Sequence, residues 1–310
     1  SLEICRIVTK EGLGLDTVSG GEIDTAFKAG VPMENLYFHG NNKSLEEIRM
    51  AVDYRVGRVV VDNLYELEAL NAYAREKNVT MKILYRITPG VDSHTHKFIS
   101  TGQLDSKFGI PLDTRVTGAY IKKALDMSNL ELMGFHFHVG SQLAVNDSHL
   151  AALSVAVNLM RDVKKSLGFE TQELNIGGGI GIHYVEGDHR PTVSEFLDPV
   201  MKELYDKCEK HGLTVPQVTI EPGRWIVGEA GITLYTVGSI KEIHNIRKYV
   251  GVDGGMADNP RPGLYEAKYN AVIANKMGLP AKEKVTIAGK CCESSDILIW
   301  DIELPEVESG

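Results

Sequence analysis

Short β-branched or aromatic runs alternate along the chain with longer amphipathic stretches, the rhythm of strand–helix units repeated around a parallel sheet. The pattern opens on a helix, from Leu2 to about Glu11, and the first strand follows it. Strands are expected at Leu15–Val18, Asn35–His39, Arg58–Asp62, Lys82–Ile87, Leu132–His138, Glu173–Ile176 and Gln217–Ile220. Helix starts are marked by a capping residue with glutamate three positions on: Ser19 with Glu22, Ser44 with Glu47, Asn63 with Glu66, Thr192 with Glu195. Each such pair can satisfy two orphan amides reciprocally. Glycine stands where a left-handed cap residue is wanted, at Gly30, Gly168 and Gly212.

Seven strands separated by helices are one short of a closed (β/α)8 barrel. Because the chain opens inside a helix, the expected fold is a TIM-type (β/α)8 barrel lacking its first strand in this chain, the sequence being most of a longer protein. After Arg224 the texture changes. Long β-type runs from Trp225 to Ile243 are followed by Val250–Val252, Val285–Ile287 and Ile297–Asp301, separated by Gly/Pro loops. The expected organisation is a barrel domain over 1–225 and a C-terminal β domain over 226–310, incomplete at its end because Pro305 to Gly310 supplies no closing element.

Composition narrows the function. Forty-three percent of the 310 residues are apolar, enough for a sizeable core. Thirty-three Lys and Arg against 42 Asp and Glu give a net charge of −9 without a basic block, which argues against nucleic acid as a partner. No apolar run approaches a membrane span, and the N-terminus has neither the charged nor the apolar region of a signal peptide. Four cysteines, two of them adjacent at Cys291 and Cys292, do not make a disulfide framework, so a reducing, cytoplasmic setting is expected.

Polar or glycine-rich segments recur at the C-terminal ends of the expected strands, where barrel enzymes place their sites. The run Gly177-Gly178-Gly179 ends one strand; bare glycines let backbone amides approach an anion such as phosphate, and they equally suit a tight turn. Glu221-Pro222-Gly223-Arg224 ends the next strand and offers a carboxylate and a guanidinium, for a ligand or for a structural ion pair. In Phe135 to Gln142, alternation sends His136 and His138 to one face. Zinc is one reading of that pair, but the carboxylate or cysteine to complete a metal site is not nearby in sequence, and no metal is expected. A flat ring at a strand end also makes a stacking platform, with Ser141 placed to help bind a phosphate. Lys290-Cys291-Cys292-Glu293 sets thiols beside a carboxylate, or else buries two small residues. The loop from Val252 to Tyr265 can present Arg261 and Tyr265, or simply cross the surface.

Taken together these segments resemble the fold-type III pyridoxal-phosphate decarboxylases, in particular the branch that acts on diaminopimelate. The stretches that match are Asp16-Thr17-Val18-Ser19-Gly20-Gly21-Glu22, Phe38-His39-Gly40-Asn41-Asn42-Lys43-Ser44, Ser106-Lys107-Phe108-Gly109, His138-Val139-Gly140-Ser141-Gln142, the triple glycine, Glu221-Pro222-Gly223-Arg224, Asp253-Gly254-Gly255-Met256 with Arg261-Pro262, and Cys292-Glu293-Ser294. They run in the family's order over nearly the whole chain.

The resemblance implies a barrel holding pyridoxal 5'-phosphate and a β domain completing the site across a head-to-tail homodimer. Gly177, Gly178, Gly179, Gly223, Arg224 and Ser141 would cradle the phosphate, His138 would stack on the ring, and Glu221 would face the pyridine nitrogen. Cys292 matches the family's proton donor. Arg224, Arg261, Tyr265 and Glu293 would read the substrate, a small amino acid whose distal carboxylate suits a bidentate guanidinium. The implied reaction converts meso-2,6-diaminopimelate to L-lysine and CO2, the last step of lysine biosynthesis.

Two departures stand out. Ser295 occupies a position where the family usually has glycine, so a strained backbone is expected there. The family's Schiff-base lysine aligns just upstream of Ser1, so the chain as given is expected to lack it. Competing readings keep the fold but change the substrate to another basic amino acid or a carboxylated polyamine precursor, or make a complete chain an inactive cofactor-binding relic.

Overall fold

A computed structural model describes residues 1–91, 105–112 and 114–310. These form two compact units, one of residues 1–180 with 191–223 and the other of residues 181–190 with 224–310.

The first unit is built on β1 (Leu15–Thr17), β2 (Leu36–Phe38), β3 (Arg58–Val61), β4 (Met81–Thr88), β5 (Ile110–Pro111), β6 (Leu130–His136), β7 (Glu173–Gly178) and β8 (Gln217–Glu221). Seven of them pair in the order β1-β2-β3-β4-β6-β7-β8, every neighbour parallel, while the two-residue β5 pairs with β4 off this path. This is the nearly closed parallel barrel that the strand rhythm predicts. The helices are α1 (Leu2–Lys10), α2 (Gly20–Ala29), α3 (Leu45–Asp53), α4 (Leu64–Glu76), α5 (Thr114–Leu125), α6 (Asp147–Leu167) and α7 (Val193–His211). Strands buried on both faces read as unbroken apolar runs, and Val59, Val60 and Val61 of β3 and Ile83 to Ile87 of β4 are almost wholly buried. Neither α1 nor β8 has a fully buried residue.

The capping residues behave as their spacing predicts, with one difference. Ser44 and Thr192 form complete capping boxes with Glu47 and Glu195. At Ser19 and Asn63 only the side chain of the cap bonds the helix, because the partner glutamates have other donors. Glu22 accepts from the Val18 amide at 2.7 Å, and Glu66 from the Asp62 amide and the Lys43 ammonium, both at 3.0 Å. Gly30, Gly168 and Gly212 close their helices at φ of 80°, 68° and 64°.

The Lys43–Glu66 pair is fully buried, and the Lys43 ammonium also donates to the carbonyls of Gly40 and Val60 at 2.7 and 2.8 Å. It therefore ties the chain leaving β2 to the end of β3. Burial pushes the Lys43 amine down from its ordinary value, although Glu66 opposes that shift. A second buried carboxylate, Glu173 at the start of β7, accepts from Tyr37 of β2 and from Arg58 of β3, the latter at 2.7 Å. That network closes the N-terminal end of the barrel, the end that serves stability.

The second unit carries β9 (Val237–Ile243), β10 (Arg247–Val252), β11 (Glu283–Ala288) and β12 (Ile297–Leu304) in the order β12-β11-β10-β9. The central pair is parallel and the outer pairs antiparallel. Sequence reading expects β structure from Trp225 onward, whereas a short helix α8 (Gly223–Val227) and a 3-10 turn over 228–230 come first. Ile232 and Leu234 beyond them are 86% and 75% exposed. A β-branched run becomes a strand only where a neighbour pairs with it. Residues 181–190 join this unit because Tyr184 packs edge-on against Tyr269 at 5.1 Å, and Arg190 lies 4.3 Å over the Trp225 ring. One more short helix, α9 (Arg261–Tyr265), precedes β11.

Removing one partner of a buried ion pair leaves an uncompensated charge, whereas removing an exposed cap loses one hydrogen bond. Lys43→Met is expected to cost about 3 to 5 kcal/mol of unfolding free energy and Thr192→Ala about 1 kcal/mol. Chemical denaturation of both variants checks the ranking; a Lys43→Met loss no larger than that of Thr192→Ala would refute it.

Candidate active site

At the C-terminal end of the barrel strands a cavity of about 220 Å³ is lined by Asp16, Val18, His39, Arg86, His136, His138 and Glu221. These side chains come from several strands or their exits. Asp16 is in β1, His39 follows β2, Arg86 is in β4, His136 ends β6, His138 lies two residues beyond, and Glu221 ends β8. The chain continues beside β7 after β6 through the Phe137 amide, which donates to the Asn175 carbonyl at 3.0 Å. This carries both histidines of the alternating segment to the same cavity.

Glu221 is the centre of the arrangement. Its Oε1 accepts from Asn175 Nδ2 at 2.8 Å and lies 3.0 Å from His39 Nε2 and 3.4 Å from His136 Nε2. Neither imidazole nitrogen meets the carboxylate along a hydrogen-bond direction, so both stay buried without a hydrogen-bond partner among the described residues. Burial opposes ionisation of Glu221, but the imidazoles of His136 and His39 outweigh it and hold the carboxyl well below the ordinary range. Burial likewise pulls at His39, where Glu221 and then Asp16 reverse the sign and raise it. Burial wins at His136, pushed down to about 4, and at His138, pushed down to about 3. Asp16 is pushed up to about 7 by burial, opposed by His39 and reinforced by Glu221. The result is a Glu221 carboxyl held toward its ionised form, facing a His39 drawn toward its protonated form and two imidazoles, His136 and His138, pushed toward their neutral forms.

The glycine run is demanded by close backbone packing. Gly177 and Gly179 have φ of 71° and 94°, and a Cβ on Gly179 would lie 2.0 Å from the Gly140 carbonyl oxygen. A Cβ on Gly178 would lie 1.9 Å from the Glu221 carbonyl oxygen. Gly177 N donates to Asn175 Oδ1 at 2.9 Å and Gly178 N to His138 Nδ1 at 3.3 Å. One asparagine thus joins the glycine turn to Glu221, and His138 is anchored on the same turn, with Ser141 next to Gly140. Arg86 is held by Phe108, whose ring centroid lies 4.0 Å from the guanidinium carbon, in the stretch Ser106 to Gly109.

The remaining candidates lie in the second unit. Arg261 Nη1 donates to Tyr269 Oη at 2.7 Å, and its guanidinium stacks 4.7 Å from the Tyr184 ring centroid. Both Arg224 and Arg261 act on the Tyr184 hydroxyl, which burial nonetheless raises. Tyr265 ends the short helix that Arg261 begins. Cys292 is exposed, and Glu293 Oε1 accepts from the Ser295 amide and hydroxyl, each at 3.2 Å. Ser295 does not adopt a positive φ, so the strain expected of a non-glycine residue is not present. The sequence pattern alone did not single out His39, Asp16, Arg86, Asn175, Tyr184, Tyr269 or Asp296. For the first three the available signal was a polar residue at or near a strand exit.

Comparison with known proteins is concordant. The family model described as "Pyridoxal-dependent decarboxylase, pyridoxal binding domain" matches residues 1–228. The diaminopimelate decarboxylase of Bacillus subtilis is 46% identical over all of this chain and 71% of its own length, and that of Halalkalibacterium halodurans is 48% identical over 97% of this chain and 69% of its own. A crystal structure of the M. jannaschii diaminopimelate decarboxylase with L-lysine superposes with a TM-score of 0.87 at 36% identity, covering all of this chain and 70% of that one.

A pyridoxal phosphate suits what the cavity offers. An anionic carboxylate matches a protonated pyridine nitrogen, and buried imidazole nitrogens of His39 and His136 lack hydrogen-bond partners among the described residues. The donor atoms of His39, His136 and Glu221, all within 4.8 Å of one another, form the set a metal ion could use. His136 thus has the nearby carboxylate that the local sequence does not provide.

His39 is raised, so its contribution to stability is complete below the unfolded value of about 6.5 and is lost as pH rises through the folded value. In Glu221→Gln, burial dominates despite Asp16, His39 falls below about 6.5, and stability is instead lost as pH falls through that range. Imidazole NMR titration with denaturation across about pH 5 to 8 checks both halves; an unmoved His39 would contradict the assignment.

Proposed function

The chain belongs to the diaminopimelate decarboxylase family of pyridoxal-dependent decarboxylases, and we propose how its own residues divide the work of releasing CO2 from meso-2,6-diaminopimelate to leave L-lysine. The observation that carries the proposal is Glu221, held ionised at the cavity floor between Asn175, His39 and His136. Pyridoxal phosphate bound here supplies the electron sink for the pair left behind by the departing carboxylate. Glu221 keeps the proton on the pyridine nitrogen that makes the ring accept that pair. His138, neutral and anchored on the glycine turn, supports the face of the ring. Gly177, Gly178, Gly179, Gly223, Ser141 and Arg224 hold the phosphate through amides, a hydroxyl and a guanidinium.

The barrel domain over 1–225 does the cofactor binding, and the β domain over 226–310, with Arg224, supplies the groups that act on substrate. The Cys292 thiol gives its proton to the carbon that has lost CO2 and regains one from solvent. Arg261, steadied by Tyr184 and Tyr269, takes the distal carboxylate, while Tyr265 and Arg224 line its approach and Glu293 accepts from the distal ammonium. In this reading the enzyme is a cytoplasmic homodimer in which the β domain of one subunit serves the barrel of its partner. Ornithine and arginine carry no distal carboxylate, so Arg261 favours diaminopimelate over a simpler basic amino acid.

In the cofactor-loaded enzyme, Arg261→Ala is expected to lower kcat/KM for diaminopimelate about tenfold or more, the equivalent of roughly 1.5 to 3 kcal/mol, with cofactor affinity unchanged. CO2 release from diaminopimelate, lysine, ornithine and arginine, with a cofactor titration, checks both. A variant that lost cofactor but kept its KM would move Arg261 to the phosphate. Cys292→Ala should reduce turnover far more than Cys291→Ala, since the turn that carries them exposes Cys292 and leaves Cys291 partly buried; equal losses would remove Cys292 as donor.

A further inference from the structure

The two adjacent cysteines are chemically alike, yet the turn between β11 and β12 treats them differently. Cys292 is exposed and Cys291 partly buried. Beneath the turn lies Asp296, 2% exposed. One carboxylate oxygen accepts from the Met256 amide at 2.7 Å and the other from the Cys291 amide at 2.8 Å. Its main chain closes the same turn: the Asp296 carbonyl accepts from Gly289 N at 2.9 Å, and its amide donates to the Glu293 carbonyl at 3.0 Å. The Lys290 amide adds a bond to the Gly254 carbonyl at 2.9 Å. A single buried acid therefore fastens the segment Gly254-Gly255-Met256 to the cysteine turn.

Space for that acid is written into the sequence. A Cβ on Gly289 would come within 2.2 Å of both carboxylate oxygens, and one on Gly255 within 2.5 Å of the nearer oxygen. The carboxylate also acts on the Cys291 thiol as a hydrogen-bond acceptor, which keeps that thiol protonated to higher pH.

We propose that Asp296 is a positioning residue which selects between the two thiols: it holds Cys291 by its amide at the base of the turn, and so leaves Cys292 as the one presented to substrate. The catalytic half of this rests on Cys292 as proton donor; the half concerning the thiols stands by itself.

The test uses the holoenzyme as wild type, Asp296→Asn and Gly289→Ala. Asparagine keeps the shape but turns an N–H group toward a backbone donor, while the methyl group added by Gly289→Ala displaces the carboxylate with its charge intact. Iodoacetamide labelling across about pH 6 to 10, with fragmentation of the shared peptide, gives a rate for each thiol. In wild type Cys292 is expected to react about tenfold or more faster than Cys291 near neutrality, because it is exposed while Cys291 is partly buried and fastened to Asp296. In both variants the ratio should fall to about threefold or less, and kcat should fall about tenfold while KM for diaminopimelate changes less than about threefold. An unchanged labelling ratio in natively folded variants overturns the selection. If Asp296→Asn does not fold, the Gly289→Ala ratio decides by the same criterion. A collapsed ratio with undiminished kcat overturns the positioning role. Full turnover in Cys292→Ala overturns the donor reading itself, and the labelling ratio then reports on Asp296 alone.

Discussion

A carboxylate buried among imidazoles would ordinarily take up a proton, and the barrel is arranged so that Glu221 does not. Burial penalises its charge, but Asn175 donates to it and His39 and His136 face it from the ends of β2 and β6. That balance is non-local, joining residues from three strands and the end of a fourth. Shifting any one of them by a residue would turn its side chain to the other face of the sheet. The register of the whole barrel is therefore what keeps a single charge in place, and an electron-withdrawing cofactor is useful only where that charge persists.

The other buried acids have different tasks. Glu173, at the opposite end of the strands, draws Tyr37 and Arg58 together. Glu66 is spent entirely on Lys43 and on backbone amides. With its ammonium donating to Gly40, Val60 and Glu66, Lys43 is occupied as a cation and a poor nucleophile, despite lying four residues from His39. Its work is to hold the exit of β2 in place, so that His39 arrives at Glu221.

Local signals in the sequence located most of the scaffold. Each of the seven strands on the barrel path begins and ends within two residues of its expected bounds, while the two-residue β5 was not expected; serine, threonine and asparagine caps sit where their spacing to glutamate puts them, because these depend on neighbours a few positions away. What the sequence hid was every effect of distant neighbours. Glu66 has the spacing of a capping box but turns to Lys43, a donor 23 positions away. The apolar run after Trp225 has β character but no strand to pair with. The loop bearing Tyr184 is continuous with the barrel in sequence yet packs on residues beyond 223. His136 and His138 were legible as a pair; their carboxylate was not, since Glu221 lies more than eighty positions on.

The glycine run shows how such motifs should be weighed. Sequence alone leaves it balanced between a phosphate cradle and a tight turn, and the packing shows that these readings are not rivals. Gly178 and Gly179 are required by the carbonyls of Glu221 and Gly140 whether or not an anion binds, so glycine there is no evidence of phosphate. The same constraint brings the end of β7 against Glu221 and seats His138 on the Gly178 amide. Close packing of these strand ends thus places a backbone turn, an aromatic ring and an ionised carboxylate around one small cavity. The chemistry is then decided by the polar side chains: replacing Asn175 or His39 would leave the turn intact while loosening the charge beside it.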